Sequence, residues 1–424
     1  MQAKTSILSA IPILLAMALL AATPQQASAI PAFARKYNVK CYVCHTIPPV
    51  LNKNGYLFKR LGYRMPPDEM DGTKPAKVVD LDKEIKFNIT NSIALVTIGS
   101  LTADKATGSN TTSSFNLDEA ALFAAGAVEQ TNFSYFVQYE LYQGGSNGLE
   151  QAYATYTGGK VNSSYFVKAG EMHLQEGEGT RGAFFYSLFP EPSPLLTYVD
   201  PINFSLDQHP AGVNVGYTWT SPYYKKVFAI SGKVTNGLAA DGSEILLAST
   251  KNAKDVWVDA DYWFGPDGGI TFMAYRGSKD QDQNPGTPDE FIYRPTVQRY
   301  GVFGNYLFFD KLDVTGGYLR SKDDWQAMPT SPVSSYVSNG FRGEVDYYAQ
   351  TGFALMARYD QLNQKVAAGP VTRTEVWSVG ADKAITERGN VIVRAAYSQE
   401  RDTDPVLRTS ATDKLFKVDF RFAW

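Results

Sequence analysis

The chain has 424 residues, a formal net charge of −3, only two cysteines, and an abundance of tyrosine (26) and phenylalanine (24). The slightly acidic balance offers no basic face for nucleic acid. The length would allow two or three soluble domains, yet the alternating helix and strand patterns of α/β enzymes are missing, and the aromatic-rich composition is typical of a membrane β-barrel.

Residues 1–29 read as a secretory signal peptide. Lys4 supplies the positive region, Ile7 to Leu20 an apolar stretch interrupted by Pro12, and Ala27-Ser28-Ala29 a small-residue cleavage site, so the mature chain is expected to begin at Ile30. The apolar stretch is shorter than the roughly 20 residues of a spanning helix, and no later segment reaches that length.

The run Cys41-Tyr42-Val43-Cys44-His45 follows. C-x-x-C-H is the attachment signature of c-type haem. Two thiols three positions apart each add to a haem vinyl group, and the adjacent imidazole is held against the iron as axial ligand. Cys41 and Cys44 are the only cysteines and His45 is one of three histidines, so the match stands against a background almost empty of both types. A dithiol or disulfide redox pair is another reading of the spacing, but thioredoxin-like motifs sit beside a βαβ pattern. A structural zinc site needs four nitrogen or sulfur ligands, and no second cysteine pair completes one. The expected cofactor is one covalent haem c. Export fits this reading, because haem is joined to such motifs outside the cytoplasm.

Residues 30–80 form the monohaem cytochrome c segment. Leu51, Phe58 and Leu61 recur at near-helical spacing, and Met65-Pro66-Pro67 stops the helix. So short a segment cannot enclose a haem alone, so it is expected to be buried in or at the lumen of the barrel that follows.

From residue 81 to 424 the chain alternates apolar and polar residues over stretches that match spanning barrel strands. Phe416, Val418, Phe420, Phe422 and Trp424 share one face, opposite Lys417, Asp419 and Arg421. Phe341, Val345 and Tyr347 oppose Arg342, Glu344 and Asp346; Phe353, Leu355, Ala357 and Tyr359 oppose Arg358 and Asp360; Val391, Val393, Ala395 and Tyr397 leave Arg394 on the other side. A lipid-facing Arg or Lys at mid-membrane costs about 2–4 kcal/mol. The charged face is therefore expected to line the lumen. An open sheet is excluded, because unpaired backbone groups in hydrocarbon cost several kcal/mol each.

The pattern predicts an all-β, transmembrane antiparallel barrel of about sixteen strands. They start near residues 84, 117, 132, 149, 163, 211, 224, 255, 269, 298, 312, 339, 351, 372, 389 and 413. Tight connections such as Gln130-Thr131-Asn132, Asp310-Lys311 and Gln350-Thr351 alternate with long polar ones through 102–114, 236–254, 278–295, 321–338 and 400–413. Outer-membrane barrels pair short periplasmic turns with long external loops and an even strand count, which puts both termini in the periplasm. A soluble β-sandwich has no reason to show that parity. Tyr262, Trp263 and Trp377 are expected in an interfacial aromatic girdle, and the terminal Trp424 resembles a barrel-assembly signal.

The run Ala29-Ile30-Pro31-Ala32-Phe33-Ala34-Arg35, then Cys41 to His45, then Pro49-Val50-Leu51, Gly55 and Phe58-Lys59-Arg60-Leu61-Gly62-Tyr63 resembles the fused monohaem cytochrome–porin family of the outer membrane. That family is best known as the iron oxidases of Fe(II)-oxidising bacteria; in the barrel the likeness concerns architecture only. The resemblance implies an outer-membrane redox conduit. Electrons would pass from extracellular Fe(II) through the haem to a periplasmic carrier, a cytochrome or copper protein. Cys41 and Cys44 would bind the haem, and His45 would ligate its iron. Electron flow outward to extracellular acceptors, or a diffusion porin with a haem plug, are the alternatives.

Haem potential depends on the sixth ligand, burial and nearby hydrogen bonds. Met65 is the nearest candidate ligand, and Met70 follows it. His173, beside Met172, is the alternative; with His209 it brackets the longest connection, roughly Met172 to Pro210. That connection can fold into the lumen as constriction loops do. Its Glu171, Glu176, Glu178 and Arg181 read as solvated charges. The other reading is that the carboxylates attract Fe(II), which favours oxygen and imidazole ligands. The aromatic run Phe184-Phe185-Tyr186 follows them.

Overall fold

The computed structural model describes residues 32–37, 39–47, 50–65, 93–128, 131–143, 146–160, 162–174, 188–189, 193–195, 206, 208–221, 226–236, 254–265, 268–278, 281–283, 291–293, 296–325, 333–366, 371–386, 391–404 and 409–423. The signal segment, Met70, the strand start near residue 84, Glu176, Glu178, Arg181, Phe184 to Tyr186 and Trp424 lie outside them.

Two short helices, α1 (Ala32–Tyr37) and α2 (Lys53–Arg60), flank the C-x-x-C-H run; between them lie a 3-10 turn (Cys41–Val43) and the small strand pair β1 (His45–Ile47) and β2 (Val50–Leu51). Sixteen strands then close one antiparallel barrel. They are β3 (Ile93–Lys105), β4 (Thr112–Ala127), β5 (Phe133–Gln143), β6 (Ser146–Lys160), β7 (Ser163–Glu171), β8 (Ala211–Thr220), β9 (Val227–Asn236), β10 (Lys254–Trp263) and β11 (Gly268–Ser278). After a hairpin of β12 (Gln281–Gln283) and β13 (Phe291–Tyr293) come β14 (Thr296–Phe308), β15 (Leu312–Trp325), β16 (Ser334–Gln350), β17 (Phe353–Val366), β18 (Val371–Ala384), β19 (Val391–Asp404) and β20 (Thr409–Ala423). Each barrel strand pairs with its sequence neighbours in the barrel, and β20 closes on β3, with Phe420 opposite Gly99. Closure leaves no unpaired edge, the condition for a sheet in hydrocarbon.

The two faces sort as the alternation predicts. Arg342, Glu344 and Asp346 are buried inside, while Phe341, Val345 and Tyr347 are exposed outside; Arg358 and Asp360 are buried against an exposed Leu355. The inner arginines are paired along the wall: Arg299 with Asp323, Arg342 with Glu344, Arg358 with Asp360 at 2.7 Å and Arg394 with Asp382 at 2.7 Å. Pairing is what makes buried charge tolerable. Outside, Phe264, Tyr306, Phe308 and Phe309 cluster at the tight-turn end, as an interfacial girdle does.

Two sequence expectations change. The connections 321–338 and 400–413 are mostly strand, because β15, β16, β19 and β20 continue as polar hairpins past the apolar band. Ladder hydrogen bonds satisfy that backbone whatever its side chains, so polar composition marked the end of the band rather than of the strand. The first described barrel strand begins at Ile93. Trp263 is no girdle residue. It shares the inward face of β10 with Asp259 and Asp261, is buried, and tilts against Tyr56 at a centroid distance of 5.5 Å.

Described residues of the longest connection pack against the inner wall. Leu188 and Phe189 of the longest connection pack with Val50, Tyr348 and Met356. Leu174, Leu195 and Leu206 pack with Trp257, Tyr275, Phe303 and Leu362. The connection is tied to the wall where Ser193 Oγ donates to Asp360 Oδ1 at 2.5 Å and the Leu188 amide donates to Glu344 Oε1 at 3.2 Å.

Candidate functional site

The haem motif is held by the helix that follows it. Asn52 caps α2, its Oδ1 accepting from the Gly55 amide at 3.0 Å. This satisfies one of the free donors at a helix start. Its Nδ2 donates to the carbonyls of Tyr42 (3.3 Å) and Val43 (3.1 Å), and its amide donates to the Cys44 carbonyl at 3.0 Å. A Cβ on Gly55 would fall 2.2 Å from that same carbonyl oxygen. Only glycine allows the helix so close to the motif.

Helix α2 is plugged into the tight-turn mouth of the barrel. Tyr56 donates to Asp261 Oδ2 at 2.9 Å. Arg60, buried, donates from Nε to Thr218 Oγ1 at 2.7 Å, lies over the Phe166 ring at 5.0 Å, and stands 3.9 Å from Asp261. Leu57 packs with Val227, Ala229 and Trp263. The helix ends where Gly62 (φ 66°) and Tyr63 (φ 58°) turn left-handed. The Tyr63 strain is held by its neighbours: the ring stacks on Phe33 at 5.0 Å, and its hydroxyl meets that of Tyr153 at 2.6 Å. Phe33 also meets Phe58 edge-on at 4.9 Å. The separated motif fragments of the N-terminal segment therefore meet in one aromatic cluster. Arg64 donates to the carbonyls of Thr131 (2.6 Å) and Phe133 (3.1 Å), fastening the segment to the turn between β4 and β5.

Cys41 and Cys44 are not bonded to each other; Cys41 is buried and Cys44 half-buried. Burial pushes the Cys41 thiol up to about 11 and, with Cys41 adding to it, the Cys44 thiol up to about 12. His45 opens β1, opposite Leu51. Two thiols on one turn with an imidazole next in line are residues that could hold a covalently attached haem. Met65 is half-buried at the end of the described segment.

His173 stands just past the end of β7. Its Nε2 is 2.9 Å from His209 Nε2, and Glu150 Oε1 is 3.3 Å from His209 Nε2 and 3.7 Å from His173 Nε2. Burial first, then the fields of His209, Lys59 and Lys233, hold the His173 pKa well below the usual imidazole value. Among the described residues, these three are the His, Cys, Asp or Glu side chains that converge closely enough for a metal ion. Asn52, Asp261 and Glu150 were not singled out by sequence reasoning. Asn52 carried a usable signal, an Asn just before a helical stretch; the other two depend on contacts distant in sequence.

No family model and no curated protein matches the sequence. The barrel is similar to OmpTdeltaL8, a loop L8 deletion mutant of the outer membrane protein OmpT of Vibrio cholerae (13% identity, 78% of this chain and 99% of that chain, TM-score 0.55). An anion-selective porin from Comamonas acidovorans is comparable (7% identity, 78% and 99%, TM-score 0.55), as is Salmonella typhi OmpF in complex with daunomycin (14% identity, 78% and 97%, TM-score 0.53). The chain has the porin-like fold of outer-membrane β-barrels.

Proposed function

We propose that this chain is an outer-membrane cytochrome–porin of the iron-oxidising kind, carrying electrons from extracellular Fe(II) to a periplasmic carrier. The observation that carries the reading is a C-x-x-C-H turn anchored by Asn52 and Gly55 to a helix that plugs a membrane barrel at its tight-turn mouth. Cys41 and Cys44 would bind one haem c and His45 would ligate its iron, with Met65 the candidate for a second protein ligand and His173 the alternative. Haem supplies a one-electron centre whose potential answers to ligand and burial. The chain's own residues position the segment: Arg60, Tyr56 and Arg64 fasten it to the barrel, and Phe33 stacks on Tyr63 within it. The tight-turn end, with both termini, faces the periplasm, which sets the haem on the carrier's side.

The outer face supports insertion in a membrane, since Val258, Leu355, Val379 and Phe272 are all exposed on it and a band of that kind is stable only against lipid. Stopped-flow mixing of Fe(II) with the oxidised purified protein tests the proposal. Rapid reduction of the haem is expected; a haem that stays oxidised would remove Fe(II) as donor.

A further inference from the structure

We infer that Glu150, His173 and His209 form a binding site for a first-row divalent transition-metal ion on the barrel wall. The site shares no residue with the Cys41–His45 turn; it uses His173 as a ligand of this ion and so excludes the alternative in which His173 ligates the haem iron.

The backbone brings the two imidazoles together before any ion arrives. The ladder between β7 and β8 runs on past their ends: the Met172 amide donates to the Pro210 carbonyl at 3.4 Å, and the Leu174 amide to the Gln208 carbonyl at 2.6 Å. His173 thus stands directly across from His209, and cross-strand neighbours are close enough to share a ligand. Their rings lie 3.7 Å apart, inclined at 64°. Lys233 Nζ donates to the Leu174 carbonyl at 3.0 Å and steadies this extension.

The carboxylate arrives by a different device. Gln151 pairs with Gln138 while Leu149 pairs with Tyr139, so Glu150 is the extra residue of a bulge in β6. Bulges re-aim side chains and occur beside functional sites. Gln138 Nε2 donates to Glu150 Oε2 and to Glu140 Oε1, and Gln151 Nε2 donates to Gln138 Oε1 at 3.1 Å. One Glu150 oxygen is therefore held and the other faces the imidazoles, the arrangement by which outer partners orient metal ligands.

The distances suit a shared ion. Ligand atoms about 2.1 Å from one metal stand about 3.0 Å apart at a right angle and about 3.4 Å apart at a tetrahedral one. The three separations here are 2.9, 3.3 and 3.7 Å. Two imidazoles and one carboxylate select ions of the Fe(II), Co(II) and Zn(II) class over magnesium or calcium. All three side chains are mostly buried, at 13–19% exposure, so an ion held there would keep few waters.

The test uses full-length folded protein in detergent. Titration with Co(II) is expected to give one bound ion with imidazole-type visible bands, and Glu150→Gln or His209→Gln to weaken it at least tenfold without changing haem content. Because those variants could disturb the loop, a second measurement needs no substitution. One equivalent of Zn(II) is expected to protect His173 and His209 together from diethyl pyrocarbonate, mapped by peptide mass. Absence of Co(II) binding, equal binding by both variants, or no joint protection would overturn the site and leave a hydrogen-bonded His–His–Glu cluster.

Discussion

Gly55 approaches Cys44 so closely that a single added methyl would fall 2.2 Å from the Cys44 carbonyl oxygen. The helix that plugs the barrel and the turn that carries the thiols therefore move as one body. Gly55→Ala is expected to force them apart at about 1–3 kcal/mol, the usual cost of overpacking. Haem absorbance per polypeptide should fall severalfold while heat-modifiable migration of the barrel is unchanged; full haem content in this variant would contradict the coupling.

Arg60 is the most heavily engaged side chain of the plug, shared among Thr218, Asp261 and the Phe166 ring. Arg60→Ala leaves Asp261 short of a buried positive partner, and breaking a buried pair costs about 3–5 kcal/mol. Protease should then cut within residues 39–65 of the folded barrel, where the unaltered protein resists; equal resistance would mean that the plug is held by other contacts.

The legible part of the fold was whatever depends on local alternation. Strand starts at residues 163, 211 and 312 were read in place, and the burial of Arg342, Arg358 and Arg394 followed from the cost of charge in lipid. Trp263 was misplaced because its aromatic character suggested the interface, although its parity with Asp259 and Asp261 pointed inward. The C-x-x-C-H run stood out as five adjacent residues. Its support did not: Asp261, which accepts from Tyr56, is 205 positions away. Nor did Glu150, since alternation alone does not reveal a bulge that changes its facing. His173 and His209 were visible as a pair flanking one connection, but their meeting required the closing ladder.

Alkaline pH offers a reversible test of docking. Burial raises Tyr37, whose hydroxyl donates to the Tyr63 carbonyl at 2.6 Å, to about 12, and holds Tyr56 well above its ordinary value. The folded state thus holds these protons more tightly than the unfolded chain, whose tyrosines release them near 10. The stabilisation Tyr37 contributes is complete below about pH 10 and is lost as pH rises through about 12. Protease protection of residues 39–65 should weaken across that window, alongside tyrosinate absorbance. Constant protection would show that Tyr37 does not gate docking.

The outer belt can be tested independently of any cofactor. Leu355 is exposed on the barrel's outer face, next to buried Met356 and Ala354. Leu355→Arg is expected to destabilise the barrel in lipid by about 2–4 kcal/mol if it lies at mid-membrane, read as a lower urea midpoint in vesicles. No change in midpoint would place Leu355 outside the apolar band.

The most direct measurement is the intact mass of the purified, fully denatured polypeptide beside its absorbance. The proposal predicts one haem retained through denaturation, lost in the double variant Cys41→Ala, Cys44→Ala. A chain that carries no covalent haem when made where c-type cytochromes mature would contradict it, and leave a plugged barrel whose C-x-x-C-H turn serves another end.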